Sequence, residues 1–143
     1  NLYLNTNNSK KFNFENKPDI VSICLGTNDL SQGDGVKPRL PFNRAKYVSN
    51  YIDFVKSVYS HYPNTQIVLL SSPMSGKEGN EILVPCLKEV QTYFAEGTQK
   101  PILLLEFENS YNAGCSWHPS VEEHQQIADK LIPYFEGILL NDK

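Results

Sequence analysis

This sequence has neither a large excess of one charge nor a long apolar run. Its 143 residues include 13 Lys and Arg against 16 Asp and Glu, and the net charge of −3 comes without a basic stripe. We therefore expect no nucleic-acid partner and no anionic membrane partner. The apolar runs, such as 67–70 and 102–105, are far too short to span a bilayer. With 40% hydrophobic and 20% charged residues, the composition is typical of one globular domain with a real core.

Cysteine is scarce, and its spacing does not suit metal binding. Cys24, Cys86 and Cys115 match no zinc-site pattern, so we predict no metal site. We expect Cys24 to be a buried thiol within a strand. A disulfide between Cys86 and Cys115 is possible, but no sequence pattern supports it. The chain begins at Asn1 without a charged-then-apolar leader, so we expect a processed or trimmed piece whose compartment no signal reveals.

Apolar periodicity predicts three strands that alternate with three helices. Continuous apolar runs are typical of parallel strands covered on both faces, and they predict strands at 20–25, 66–71 and 102–106. Helical spacing predicts helices at about 43–61, at about 80–96, and after a Ser120–Glu123 capping box. The last helix should bury Val121, Ile127, Ala128, Leu131 and Phe135. This order indicates a parallel sheet with right-handed crossovers.

Two prolines fall within the predicted helices. Pro85 is expected in the first turns of the second helix, where the missing N–H costs little. Pro133 is expected to bend or end the last helix.

Two polar motifs carry the chemistry. Gly26-Thr27-Asn28-Asp29 follows the first strand, and Ser116-Trp117-His118-Pro119 lies between the third strand and the last helix. Sites in open parallel sheets lie beyond the carboxyl ends of the strands, so the topology can bring the motifs together. An asparagine there can donate a hydrogen bond to a developing oxyanion, and a loop histidine can act as general base. Alternatively, Asn28 only forms a turn and His118 is a loop histidine without a catalytic role.

The two motifs resemble blocks three and five of the SGNH (GDSL-type) hydrolases. The third block, G-x-N-D, is matched by Gly26, Asn28 and Asp29, and the fifth by His118 and Pro119. Further segments make the chain resemble carbohydrate esterase family two, the acetyl esterases of plant cell-wall polysaccharides. These segments are Pro18-Asp19-Ile20-Val21, Tyr62-Pro63-Asn64-Thr65-Gln66-Ile67, Gly114-Cys115-Ser116-Trp117-His118-Pro119-Ser120 and His124-Gln125.

This resemblance implies a fold and an activity. The fold would be a three-layer α/β/α, flavodoxin-like parallel sheet, with residues 1–143 as the C-terminal part of a single domain that lacks its N-terminal strands. The activity would be hydrolysis of O-acetyl esters on a carbohydrate such as xylan, with no cofactor, by a secreted or periplasmic protein. His118 would be the general base, Asn28 an oxyanion donor and Asp29 a substrate contact. The Trp117 side chain either forms an apolar wall for a sugar face or acetyl group or simply packs. The alternatives are a lipase or acyl esterase of the same superfamily and a non-catalytic carbohydrate-binding remnant.

The usual acid of the family is absent. Most members place an aspartate three residues before the histidine and some place it directly before Trp-His, but here Cys115 and Ser116 occupy those positions. Relatives can orient the histidine with a backbone carbonyl, so we expect that of Trp117 to do so. Glu106 and Glu108, near the end of the third strand, are the alternatives.

The nucleophile is absent as well. The family's G-D-S block should lie upstream of this chain, and Ser71, Ser72 and Ser75 lack the context of a nucleophile. Without upstream strands, residues 20–25 form an apolar sheet edge. We expect an N-terminal segment of the same protein or a second copy to cover it. The loop at 31–41 should shape one rim of the cleft, and its charged residues, Asp34, Lys37 and Arg39, either contact substrate hydroxyls or are merely solvated.

Overall fold

In this computed structural model, three parallel strands form one sheet with helices on both faces. The structure describes residues 13–33, 35–36, 39–97 and 99–141. The strands are β1 (Ile20–Ile23), β2 (Gln66–Leu70) and β3 (Leu103–Leu105), in the order β1-β2-β3. The helices are α1 (Thr27–Leu30), α2 (Arg44–His61), α3 (Gly76–Phe94) and α4 (Val121–Asn141), and a 3-10 turn spans Cys115–Trp117. Ile20 pairs with Gln66, and Val68 pairs with Leu103.

Strand β2 separates two hydrophobic clusters, which gives the fold its three layers. Ile67 and Leu69 face a cluster built with α2 and α3, which contains Tyr51, Val55, Leu83, Leu87 and Val90. Val68 and Leu70 face the opposite side, where Phe107, Tyr111, Ile127, Leu131 and Phe135 pack. Every residue of β2 is buried, as expected for a central parallel strand. The predicted three-layer α/β/α arrangement is confirmed.

Helix α2 begins and packs as its sequence predicts. The Asn43 side chain accepts a hydrogen bond from the Lys46 backbone N–H at 2.9 Å and so caps the first turn. Two tyrosines on its buried face reach β1: Tyr51 Oη donates to the Ile23 carbonyl at 3.3 Å and Tyr47 Oη to the Leu25 carbonyl at 2.8 Å. The Leu25 carbonyl thus bonds to a side chain rather than to a strand, and β1 ends at Ile23 instead of Leu25.

Two predicted boundaries on α3 and α4 were wrong. Helix α3 begins at Gly76, so Pro85 lies in its interior rather than in its first turns. Two early glycines, Gly76 and Gly79, lower the helix propensity of this segment and hide its start. Helix α4 continues past Pro133 to Asn141, so Pro133 does not end it. Its first residue, Val121, is 82% exposed instead of buried.

The cysteines also differ from expectation. All three thiols are free, so there is no Cys86–Cys115 disulfide, and Cys24 lies past the end of β1 and is exposed.

Among the described residues, β1 pairs with β2 alone, and its outer edge carries no strand. No described helix is both long enough and apolar enough to cross a bilayer.

Candidate active site

The turn from β1 into α1 presents Asn28 to solvent. Gly26 adopts a φ of 123°, and a Cβ there would lie 2.7 Å from Leu83 Cδ2 and 2.8 Å from Tyr47 Oη. Only glycine therefore allows this turn to pack against α2 and α3. The Gly26 carbonyl accepts the Asp29 N–H at 3.0 Å, which closes the first turn of α1. Asn28 follows Gly26 closely and is exposed at the carboxyl end of the sheet.

A hydroxyl pair joins this turn to the segment after β2. Thr27 Oγ1 and Ser72 Oγ lie 2.7 Å apart. Ser72 Oγ also accepts the Met74 N–H at 3.2 Å and the Ser75 N–H at 3.1 Å. Both lone pairs of this hydroxyl are thus occupied, so its proton points to Thr27 Oγ1. The pair fixes the backbone directly before Asn28.

Buried serines after β2 hold the strand ends together instead of offering a nucleophile. Ser71 is fully buried, and its Oγ accepts the Phe107 N–H at 2.8 Å. Asn80 Nδ2 donates to the Ser72 carbonyl at 2.9 Å and to the Phe107 carbonyl at 3.2 Å. Ser72 is 1% exposed, so neither Ser71 nor Ser72 can reach an ester. Ser75 is half-buried at the start of α3.

The 3-10 turn sets the direction of His118. Ser116 and Trp117 both have left-handed backbone, with φ of 54° and 63°, which is uncommon for residues other than glycine. His118 Nδ1 lies 3.0 Å from the Ser116 carbonyl oxygen. The prediction that the Trp117 carbonyl is the partner of His118 was wrong. Because Ser116 and Trp117 are both left-handed, the Ser116 carbonyl between them points to the imidazole instead. Because a carbonyl only accepts, Nδ1 carries the proton and Nε2 of the neutral ring does not.

No carboxylate takes the place of this carbonyl within the described part of the chain. Glu106, the first alternative, is exposed and pairs with Lys88 Nζ at 2.8 Å. Glu108 is exposed, and neither glutamate hydrogen-bonds to His118. Across the same residues, no three His, Cys, Asp or Glu side chains form a group that could hold a metal ion.

An open depression of about 870 Å³ collects residues from all three strand ends. Its wall includes Thr27, Asp29, Arg39, Leu40, Met74, Ser75, Glu78 and Trp117. A second depression of similar volume adjoins it and is lined by Asn28, Asp29, Arg39 and Phe42 among others. The structure thus brings Asn28, Asp29 and Trp117 to one region of the surface. His118 follows Trp117 directly but lines neither depression.

Arg39 contributes a contact that the sequence did not indicate. Its Nη1 donates to the Asn28 carbonyl at 2.8 Å, so the loop after α1 folds back onto the residue expected to bind the oxyanion. The other charged residues predicted in this loop, Asp34 and Lys37, lie outside the described residues. The Arg39, Thr27 and Ser72 contacts all escaped sequence reasoning, because each joins segments whose relative position depends on the tertiary fold.

Comparisons with known proteins decide the family. The model of the GDSL-like lipase/acylhydrolase family matches residues 3–131. The chain belongs to this family. An acetylxylan esterase/glucomannan deacetylase from Cellvibrio japonicus is 30% identical over 123 residues, which are 84% of this chain and 33% of that protein. This GDSL-like chain therefore spans about a third of the length of that curated relative.

Solved structures agree with this family assignment. A family two carbohydrate esterase from Clostridium thermocellum, solved with cellohexaose, is 26% identical with a TM-score of 0.74, covering 86% of this chain and 37% of the other. A second carbohydrate esterase is described as having an active site with divergent catalytic and non-catalytic binding functions. It is 29% identical with a TM-score of 0.73, covering 90% of this chain and 41% of the other. The predicted relationship to SGNH family two carbohydrate esterases is confirmed.

Proposed function

We propose that this GDSL-like chain supplies the histidine and an oxyanion donor of an esterase that removes O-acetyl groups from carbohydrate. The hydrogen bond from His118 Nδ1 to the Ser116 carbonyl supports this proposal most directly. It holds the tautomer in which the Nε2 lone pair is free to accept a proton. The exposed position of Asn28 after β1 suits an amide donor that meets negative charge on a substrate oxygen.

The reaction begins with attack by a serine. As its Oγ forms a bond to the acetyl carbonyl carbon, His118 Nε2 takes the hydroxyl proton and the C=O electron pair moves onto oxygen. Asn28 Nδ2–H donates to that oxyanion. When the intermediate collapses, the bond to the sugar oxygen breaks, and that oxygen receives the proton from His118.

Water completes the cycle. His118 accepts a proton from water as the water oxygen attacks the acetyl-serine carbonyl carbon, and Asn28 again faces the oxyanion. The bond to serine Oγ then breaks, Oγ recovers its proton from His118, and acetate leaves. A carbonyl partner orients the imidazole but stabilises the imidazolium less than a carboxylate would.

The serine itself is proposed to lie upstream of this chain. Its attack requires a segment that reaches the carboxyl end of the sheet, and the outer edge of β1 is one of the two edges of the described sheet where another strand can add. Ile20 and Val21 are half-buried there beside an unpaired edge. Either the upstream segment or a second copy would cover this edge, which should slow hydrogen exchange in β1 of the full-length protein relative to residues 13–141 alone.

The substrate class follows from the relatives and the surface. Trp117 is 78% exposed and Asp29 is exposed, and both line the depression that also contains Met74 and Glu78. An exposed indole offers a flat face to a sugar ring, and a carboxylate accepts hydrogen bonds from hydroxyls. The same wall mixes Leu40 with Arg39 and Glu78, so it is no continuous apolar groove for a long acyl chain. Action on cell-wall polysaccharide would require export of the protein.

Acetate release from acetylated xylan by the full-length protein tests the proposal. We expect His118→Ala to abolish release and Asn28→Ala to lower kcat about a hundred- to a thousandfold. Matched controls are His61→Ala, at the end of α2, and Asn64→Ala, in the turn before β2 at the other end of the sheet. Full activity of both site variants would refute the assignment. Preference for long-chain acyl esters over acetyl esters would favour the lipase alternative.

A non-catalytic carbohydrate-binding role is the second candidate. One relative's site is described as combining catalytic and non-catalytic binding functions, which makes this role specific enough to test. Binding of xylan oligosaccharides by a full-length protein that releases no acetate, with binding lost in Trp117→Ala, would establish it.

A further inference from the structure

The loop that carries His118 has two stems that run side by side. One stem contains residues 112–114, the other contains residues 118–120, and the 3-10 turn joins them. The Gly114 N–H donates to the His118 carbonyl at 2.7 Å. A Cβ on Gly114 would lie 2.7 Å from the Pro119 carbonyl oxygen, so the stems touch backbone to backbone.

A single carboxylate bonds to both stems. Glu123 Oε2 accepts the Ala113 N–H at 2.8 Å and the Ser120 N–H at 2.8 Å, while Oε1 accepts the Asn112 N–H at 3.1 Å. The Glu123 N–H in turn donates to Ser120 Oγ at 3.2 Å, which completes the capping box of α4. A capping box alone needs only the Ser120 contacts. The two bonds to Asn112 and Ala113 serve the opposite stem.

We propose that Glu123 is a positioning residue for His118: its carboxylate clamps the two stems of the loop that presents the imidazole. This inference rests on the proposed esterase function. Glu123 lies on the rigid first turn of α4 and does not line the depressions, so it acts through the backbone rather than on substrate. Hydrogen bonds to a charged acceptor are shorter and about twice as strong as neutral ones. One ionised side chain can therefore keep the strained turn at Ser116 and Trp117 in place.

Glu123→Gln in the full-length protein tests this role, with Glu122→Gln as the control. Both changes remove one charge from the first turn of α4, but Glu122 bonds to Ser120 Oγ and not to the 112–114 stem. An amide has one acceptor oxygen and no charge. E123Q therefore loses at least one of the three bonds, that of the Asn112 N–H if the oxygen stays on Ala113 and Ser120, and the bonds that remain are weaker neutral ones. We expect E123Q to speed hydrogen exchange over 112–120 by about tenfold or more. We also expect a lower fraction of Nδ1-protonated His118, measured by imidazole ¹⁵N shifts.

Kinetics add a third readout. Because Glu123 lines neither depression, E123Q should lower kcat and leave KM nearly unchanged, and E122Q should change neither. Equal exchange rates, ¹⁵N shifts and kcat in E123Q and the wild type would overturn the proposal. If E123Q does not fold, the wild type provides a substitute measurement. The amide proton shifts of Ala113 and Ser120 should then change with pH at one common carboxyl pKa. Changes at two different pKa values, or no change at all, would overturn the proposal.

The exchange and ¹⁵N measurements need no substrate, so the two proposals fail separately. If the wild type has no esterase activity but E123Q still exchanges faster over residues 112–120, the esterase proposal is refuted and the proposed role of Glu123 stands. If the wild type is active and E123Q equals it in exchange rates, ¹⁵N shifts and kcat, only the proposed role of Glu123 is refuted.

Discussion

The side-chain hydroxyls of Thr27 and Ser72 lie 2.7 Å apart and connect the turn after β1 to the segment after β2. Both strands deliver site residues at their carboxyl ends, so this contact fixes one part of the candidate site relative to another. Ser72 is 1% exposed, and its proton is directed to Thr27 because its lone pairs accept two backbone N–H groups. Asn28 is the next residue along the chain after Thr27.

Loss of this contact should reduce stability. Thr27→Val removes the acceptor and leaves the Ser72 hydroxyl unpaired, so we expect the free energy of unfolding to fall by about 1 kcal/mol. Thr27→Ser, which keeps the hydroxyl, is the control. Urea unfolding of T27V, Ser72→Ala and the double variant measures the coupling. If T27V lowers the free energy of unfolding equally in the wild type and in the Ser72→Ala background, the two hydroxyls do not interact.

Gly26 should tolerate no side chain. Gly26→Ala combines an unfavourable positive φ with a Cβ 2.7 Å from Leu83 Cδ2, so we expect a loss of about 1–3 kcal/mol in unfolding free energy. Gly35→Ala is the matched control, because Gly35 has a φ of 77° but no neighbouring atom within 4 Å of the added Cβ. Equal urea midpoints for the two variants would show that backbone strain, not the clash with α3, sets the cost.

Stability should depend on pH through Glu123. The Ser120 N–H bond, followed by those from Ala113 and Asn112, lowers the pKa of the Glu123 carboxyl below its usual value. A carboxyl with a lowered folded-state pKa binds more protons when unfolded, so its contribution is complete above the unfolded pKa of about 4.3 and is lost as pH falls through the folded value.

The difference in unfolding free energy between wild type and E123Q reports this linkage. We expect it to be constant between about pH 5.5 and 7 and to shrink below about pH 4.3. Glu136→Gln, an exposed change on the same helix, is the control and should show no such trend. A difference that grows as pH falls would contradict the assignment.

Most of the fold could be predicted because apolar periodicity reports burial directly. The stripe on α2 and the continuous run of β2 place both elements in the core, and both were predicted to within a residue or two. The start of α3 could not be predicted, since Gly76 and Gly79 disfavour a helix in isolation. Contacts such as Asn80 with the Ser72 carbonyl stabilise that start, and they exist only once β2 is in place.

The candidate site was predictable only in part. Gly26, Asn28 and His118 carry recognisable motifs, and the Ser120–Glu123 capping box is a local pattern that the structure confirms. The Ser116 carbonyl as partner of His118 depends on left-handed backbone at residues that give no such signal. The clamp of Glu123 on the distant stem is likewise invisible in the sequence, because the loop between them must fold first.

Trp117 should matter for polysaccharide but not for folding. The side chain is 78% exposed, so Trp117→Ala should change the unfolding free energy by no more than about 0.5 kcal/mol. If the indole stacks on a sugar, losing about 1–2 kcal/mol of binding should raise KM for acetylated xylan roughly five- to thirtyfold.

Two substrates and two controls separate this role from a structural one. In the full-length protein, KM for 4-nitrophenyl acetate should stay nearly the same in W117A, because that ester offers no sugar face. Trp117→Phe should retain most of the affinity, and Val121→Ala, at a residue that is 82% exposed, should be silent. An equal rise in KM for both esters would mean that Trp117 supports the neighbouring His118 rather than the carbohydrate.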